Sequence, residues 1–345
     1  MDTSSNGPSR QPERHAGEPR RRRRWPYVVG GLVAFGLVGL AVVAVVLLLV
    51  VGGTTVPAVY DEEYVAGDGP YTIAVVPVEG TIAPADNALG GTQPTTTPEG
   101  LADALRQAGQ DTSVVAVVLE VNSPGGGVTA SDEMHQSILD FRENTGKPVV
   151  VSMGDTAASG GYYISTAADR IVANETTLTG SLGVIFQLNN FAEAADKYGI
   201  KQVVIKSGEY KDMGNAFREM RPDEREIFQS IVDESYSEFV DVISEGRRIP
   251  EDRVREIADG RVYSGSQARD LGLVDSFGDL DEASATAGTL AGTKDTTVVR
   301  YVQEPTLTET LLARLVPQEP QTQQIMEAAG LGLEPKPYYL YLPGS

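Results

Sequence analysis

Residues 147–163 read KPVVVSMGDTAASGGYY. A short run of β-branched apolar residues at 149–151 passes through small residues into Ser159, Gly160 and Gly161, and a helix-compatible segment follows. A run of this kind bounded by glycines reads as a buried strand. One strand entering one helix through a tight turn is the unit from which parallel sheets are built. The same pattern precedes it. Residues 71–78 (YTIAVVPV) predict a strand and 98–107 a helix; 113–121 (SVVAVVLEV) predict a second buried strand, followed by NSPGGG and a helix over 129–144. Downstream, the pattern predicts a helix over 160–168, strands at 170–173, 182–186 and 202–205, and a helix over 191–198. Helices over 223–247 and 250–258 and a strand at 261–263 complete the series. The alternation predicts an α/β domain over 71–291, with a largely parallel sheet covered by helices and an ample core.

In such sheets sites gather at the carboxyl ends of the strands, where Ser159 would lie at a helix start. Two readings compete there: a serine that caps its own helix, and a serine that attacks a substrate. The run Gly125–Gly127 also lies between a strand and a helix. It lacks both the Gly-Lys-Ser/Thr ending of a phosphate loop and a G-x-G-x-x-G frame, so a nucleotide site is disfavoured. Consecutive glycines can instead aim backbone N–H groups at a developing oxyanion, or simply supply a turn that needs positive φ. Lys211, in KSGEYKDMG, follows Ser159 by 52 residues. A lysine can replace histidine as general base if its amine is neutral, which requires its usual pKa of about 10.4 to be brought toward roughly 7 to 8.

Composition removes the main competitors. The 345 residues contain no cysteine, which excludes a thiol nucleophile, a thiolate metal site and a disulfide. Only two histidines exist; His15 lies in a polar tail, so a Ser-His-Asp triad would depend on His135, in the predicted helix after the glycine run. Histidine-built metal sites are disfavoured on the same count, and the chemistry requires no cofactor. The net charge is −20, although residues 1–26 hold seven arginines against three carboxylates, leaving −24 for the remainder. A body this acidic repels phosphates, which disfavours nucleic-acid binding.

The five arginines at 20–24 precede a nearly unbroken apolar run over 27–51. As a helix those 25 residues span about 37 Å, enough to cross a bilayer with some tilt. The expectation is one uncleaved membrane anchor, with residues 1–26 cytoplasmic and the body extracytoplasmic. A cleavable signal peptide fits less well, because its apolar core would be only about 7 to 15 residues long. Residues 52–70 read as a linker and 292–345 as a C-terminal extension with a helix near 309–315 and an aromatic end, PYYLYLPG.

Four ordered motifs, NSPGGG, AASGGYY, TGSLGVI at 179–185 and K-S-G-x-x-K-D, resemble those of the bacterial and archaeal signal peptide peptidase A family. The segment RVYSGSQARDLGLVDSFGDLDEA at 261–283 resembles the end of that family's protease domain. The resemblance implies a crotonase-like and Clp-like fold and a serine endopeptidase that cuts remnant signal peptides and other short hydrophobic or unfolded segments. It implies Ser159 as nucleophile, Lys211 as general base, Ser181 as the hydroxyl that orients the lysine, and an oxyanion hole from Gly160 and Gly126. It also implies a homo-oligomer in which serine and lysine can come from adjoining subunits. Ala216 stands where the family pattern usually has proline, a departure that touches loop stiffness more than chemistry. Two rival readings are a crotonase-like acyl-CoA enzyme, which would need a nucleotide subsite on an acidic body, and a non-catalytic membrane scaffold.

Overall fold

The computed structural model describes residues 59–84 and 94–303, the backbone of Pro337–Leu340, and Leu37, Gly39 and Leu40. The predicted anchor over 27–51, apart from those last three residues, and the predicted helix near 309–315 lie outside the described residues. Among the described residues no helix is long and apolar enough to cross a membrane. The chain divides into two units, Met1–Val56 and Pro57–Ser345, and the second carries the architecture that follows.

The strands are β1 (Asp61–Gly67), β2 (Tyr71–Ile82), β3 (Thr95–Thr96), β4 (Val114–Gly127), β5 (Val149–Ala158) and β6 (Arg170–Ala173). They continue with β7 (Leu178–Gly180), β8 (Ile185–Phe186), β9 (Val262–Ser264), β10 (Ser276–Phe277), β11 (Thr296–Val302) and β12 (Pro337–Leu340). The helices are α1 (Pro98–Gln110), α2 (Val128–Thr145), α3 (Gly160–Ser165), α4 (Ala192–Tyr198), α5 (Pro222–Arg247), α6 (Glu251–Ile257), α7 (Gly265–Asp270) and α8 (Leu280–Leu290). The main sheet runs β1-β11-β2-β4-β5-β6-β10 and is parallel except at the β1–β11 edge.

Successive strand residues point to opposite faces, so each buried strand feeds two cores. Ala74, Val76, Val117, Leu119, Val151 and Met153 face the larger core, together with Leu101 and Leu105 of α1, Met134 and Ile138 of α2, and Tyr162 and Tyr163 of α3. Ile73, Val75, Ala116, Val118 and Val150 face the smaller one beneath Ala283 and Ala287 of α8. The β-branched runs of the sequence are strands because both of their faces are covered. Helix α1 begins where Thr97 accepts the Gly100 N–H at 3.1 Å, with proline in its first turn. Its other end is closed by Lys147, whose ammonium donates to the carbonyls of Ala108, Gly109 and Asp111.

Several expectations are revised. The glycine run is not a turn between elements: Thr81 pairs with Gly125 and Ile82 with Gly126, so β4 continues through all three glycines. Residues 61–67, expected within a linker, form edge strand β1, and the sheet extends past 291 through β11. The helix expected over 160–168 ends at Ser165. Residues 202–205 form no strand; Val203 is 84 % and Ile205 97 % exposed, and no neighbouring strand offers the packing that gives β-branched residues their preference.

Helix α2 packs against α3, and His135 meets Tyr163 there with ring centroids 5.2 Å apart. His135 is buried, not a solvated helix residue, and its Nδ1 has no hydrogen-bond partner. Burial pushes its imidazole down to about 4, against the opposing influence of Asp132. A pKa lowered on folding means that the unfolded chain binds the proton more tightly between about 4 and 6.5, so stability falls as pH drops through that window. His135 should contribute a loss of about 1.5 kcal/mol between pH 6.5 and 5. His135→Leu should remove most of that loss in denaturant titrations at the two pH values.

Candidate active site

The strand β5 changes partner along its length. Val150–Met153 pair with β6, whereas Thr156, Ala157 and Ala158 pair with Leu178, Thr179 and Gly180 of β7. Thr179 donates its hydroxyl to the Ala157 carbonyl at 2.6 Å, and the ladder extends one step further through Ser159 N–H to the Gly180 carbonyl at 2.8 Å. The parallel register Ala158↔Gly180 sets Ser159 beside Ser181 at the ends of adjacent strands. Neighbouring strands lie about 4.8 Å apart. Both serines then turn sharply, with φ of 53° at Ser159 and 51° at Ser181. Among the described residues Arg248 is the only other non-glycine with positive φ.

Ser159, at φ 53° and ψ −115°, holds a conformation that costs a side-chain-bearing residue about 1–3 kcal/mol. Its carbonyl accepts the Tyr163 N–H and starts α3, but its side chain makes no capping bond. The hydroxyl is buried and has no hydrogen-bond partner. The helix-capping reading is thereby removed. A strained strand-to-helix turn that presents an uncommitted hydroxyl is the arrangement of a nucleophile elbow.

The glycine run packs closely against this turn. A Cβ at Gly160 would lie 3.1 Å from the Gly126 nitrogen, 3.2 Å from Gly125 Cα and 2.5 Å from the Ser131 hydroxyl. A Cβ at Gly126 would meet the Ile82 carbonyl oxygen at 1.9 Å. A side chain at Gly126 would part β4 from β2, and one at Gly160 would have to displace the Ser131 hydroxyl and crowd the backbone of Gly125 and Gly126, so both glycines serve close packing. Ser123 fixes the bend before them, accepting from Gly125 N–H at 3.1 Å and donating to the Gly80 carbonyl at 2.6 Å. Beyond them, the outer edge of Gly125–Gly127 pairs antiparallel with β12, which also pairs with β8.

The structure thus brings Ser159, Ser181, Gly160 and Gly126 together, and it leaves Lys211 apart. Lys211 is exposed, in a turn-rich segment between α4 and α5, and does not reach the unpartnered Ser159 hydroxyl of its own chain. Lys147 is no substitute, since its ammonium is committed to three carbonyls. Ser181 borders a cavity of about 400 Å³ whose apolar wall includes Val184, Ile185, Val232 and Tyr236. Sequence reading missed β7 because Leu178–Gly180 is only three residues long, yet this strand is what aligns the two serines. It also missed Ser131, fully buried against Gly160 with no partner for its hydroxyl.

Residues 142–294 match the family model described as Peptidase family S49. The chain is 39 % identical over 217 residues to a putative protease of Synechocystis, covering 63 % of this chain and 76 % of that protein. This chain belongs to peptidase family S49, the signal peptide peptidase A family. It is also 38 % identical to a putative signal peptide peptidase SppA of Enterococcus faecium, over 59 % of this chain and 58 % of that protein. The match to Protease 4 of Haemophilus influenzae, at 38 % identity, covers 67 % of this chain but only 37 % of that protein. Family S49 membership makes the protein a peptidase, and the geometry around Ser159 is consistent with a hydroxyl nucleophile.

Gly160→Ala tests the close approach directly. The added methyl must displace the Ser131 hydroxyl and crowds the Gly126 nitrogen, and kcat for peptide hydrolysis should fall by about 10²-fold or more, the scale of losing one oxyanion donor. A variant with unchanged kcat would show that the two backbones need not touch.

Proposed function

We propose that the protein is a membrane-anchored serine endopeptidase in which Ser159 of one chain works with Lys211 of a neighbouring chain on remnant signal peptides and other short hydrophobic or unfolded segments. The observation that carries this reading is the split arrangement. The Ser159 hydroxyl is strained and unpartnered, whereas Lys211 stands exposed on a segment that leaves Ile200, Val203, Val204, Ile205 and Phe217 uncovered. Apolar groups exposed together mark a contact surface, and a second copy of this chain, docked there, would bring the lysine to the serine.

In the proposed reaction the neutral Lys211 amine takes the proton of the Ser159 hydroxyl as its oxygen attacks the peptide carbonyl carbon. The N–H groups of Gly160 and Gly126 hold the oxyanion, and Ser181 orients the amine. The protonated lysine then gives its proton to the departing peptide nitrogen, leaving an acyl-enzyme. Water, deprotonated by Lys211, attacks the ester and releases Ser159. No cofactor takes part. An extended peptide would take the place of β12 along Gly125–Gly127, pairing antiparallel as that strand does. The cavity beside Ser181 would take an apolar side chain of the peptide. The apolar run over 27–51 would anchor the chain, with its arginine-rich start in the cytoplasm and the peptidase domain outside.

Mixing inactive variants tests the pairing. Ser159→Ala and Lys211→Ala should each abolish hydrolysis while remaining folded. Subunits mixed before assembly should recover roughly a quarter of the wild-type rate, the share of interfaces where random mixing sets an intact serine against an intact lysine. Near-normal activity in either single variant would dismiss the dyad, and two dead variants with no recovery on mixing would dismiss pairing between chains.

A further inference from the structure

The motif K-S-G-x-x-K-D fixes two charged residues besides Lys211, and the reaction gives neither a role: Lys206 and Asp212. The structure ties both into one ionic knot. Arg218 donates through Nε to Asp212 Oδ2 at 3.1 Å, and through Nη2 to Asp212 Oδ1 at 3.0 Å and to the Asp212 carbonyl at 2.8 Å. The same guanidinium reaches Glu224 at 2.6 and 2.8 Å. Lys206 closes the other side, donating to Asp212 Oδ1 at 2.6 Å and to the Glu209 carbonyl at 2.8 Å. Glu224 is fully buried and also accepts the Arg221 N–H at 3.1 Å, which fixes the start of α5.

We propose that Arg218 is a positioning residue for Lys211: its guanidinium fastens Asp212, the residue after the lysine, to buried Glu224, fixing where the lysine loop stands and cancelling the carboxylate charge beside the base. This inference rests on the reading of Lys211 as the general base. The segment around the lysine has large apolar residues facing solvent and no strand ladder over 201–206, and its other ties include the Phe191 N–H to the Ala216 carbonyl and the contact of Tyr210 with Arg221. A loop of that kind holds a reacting group to the required precision only if its own polar groups are locked. A planar fork bound to two carboxylates does this better than a point charge.

The electrostatics point the same way. A free carboxylate next to the lysine would favour the ammonium form, the wrong form for a base. Here Arg218 is the first cause, and Lys206 the second, that hold Asp212 well below the usual carboxylate range. Arg218 likewise keeps Glu224 ionised. With Lys206, Asp212, Arg218 and Glu224 the knot sums to zero charge. Arg221 also reaches Glu224 at 3.4 Å, but it pairs with Asp223 at 3.1 Å and stands 4.0 Å from Glu209, so its charge is met by its own carboxylates, while Glu219 accepts from Asn190.

The test is the pH profile of kcat/KM for peptide hydrolysis by the purified full chain, with the acidic limb taken to report the free enzyme's base. Arg218→Gln should move that limb to higher pH by about one unit, so that the rate at pH 7 falls about tenfold and is partly regained in alkali. Arg218→Lys keeps the charge but not the fork; its limb should stay in place while its plateau drops several-fold. A wild-type profile in Arg218→Gln would overturn the inference, as would a lowered plateau with an unmoved limb, the signature of a structural brace alone. If Arg218→Gln fails to fold, Arg218→Lys decides, and an undiminished plateau there overturns the placement. The two readings fail separately: an active Lys211→Ala removes the base, whereas an inactive Lys211→Ala beside an unaffected Arg218→Gln removes only the knot.

Discussion

The in-register pairing of β5 with β7 is the constraint from which the site follows. Because Ala158 faces Gly180 and the Ser159 N–H continues the ladder, two serines leave neighbouring strands side by side and both enter positive φ. That strain is sustained by what surrounds it. The ladder holds Ser159 on one side, α3 draws its carbonyl on the other, and the buried Tyr162 and Tyr163 root that helix in the larger core. Over-determined surroundings of this kind are what allow a strained residue to persist. The glycine run contributes the complementary surface, since a side chain at Gly160 would crowd Gly125 and Gly126 while one at Gly126 would force that strand from Ile82.

A site built this way gathers Ser159, Ser181, Gly160 and Gly126 without Lys211. Its donors and hydroxyl are prearranged, which spares the reorganisation that water would require at the moment of reaction. The basic group is held on a different footing, on an exposed apolar segment stiffened by an ionic knot instead of by a sheet. Ser159 is thus set in the core and Lys211 on the surface.

The sequence was most legible where burial of both faces determined the outcome. The runs at 71–78, 113–121 and 147–153 are buried on both sides and became β2, β4 and β5, while the arginine at 170 marked the start of β6. It was least legible where pairing, not composition, decides. Leu178–Gly180 is too short to show periodicity, the glycine run lacks side chains to signal a strand, and 202–205 looks like a strand but finds no partner. Ser159, Gly160, Gly126 and Ser181 could be named from motif order, yet their contact depends on a register that only three-dimensional pairing supplies. Asp212 and Arg218 are six residues apart with an irregular loop between them, and no local spacing rule brings them together.

The central claim is that Ser159 is the nucleophile, held strained and uncommitted for attack. Treating the purified full chain with a serine-directed fluorophosphonate and mapping the modified peptide by mass spectrometry tests it most directly. The account predicts one adduct on Ser159, formed in step with loss of peptide hydrolysis. An adduct on another residue, or full loss of hydrolysis with Ser159 unmodified, would contradict it.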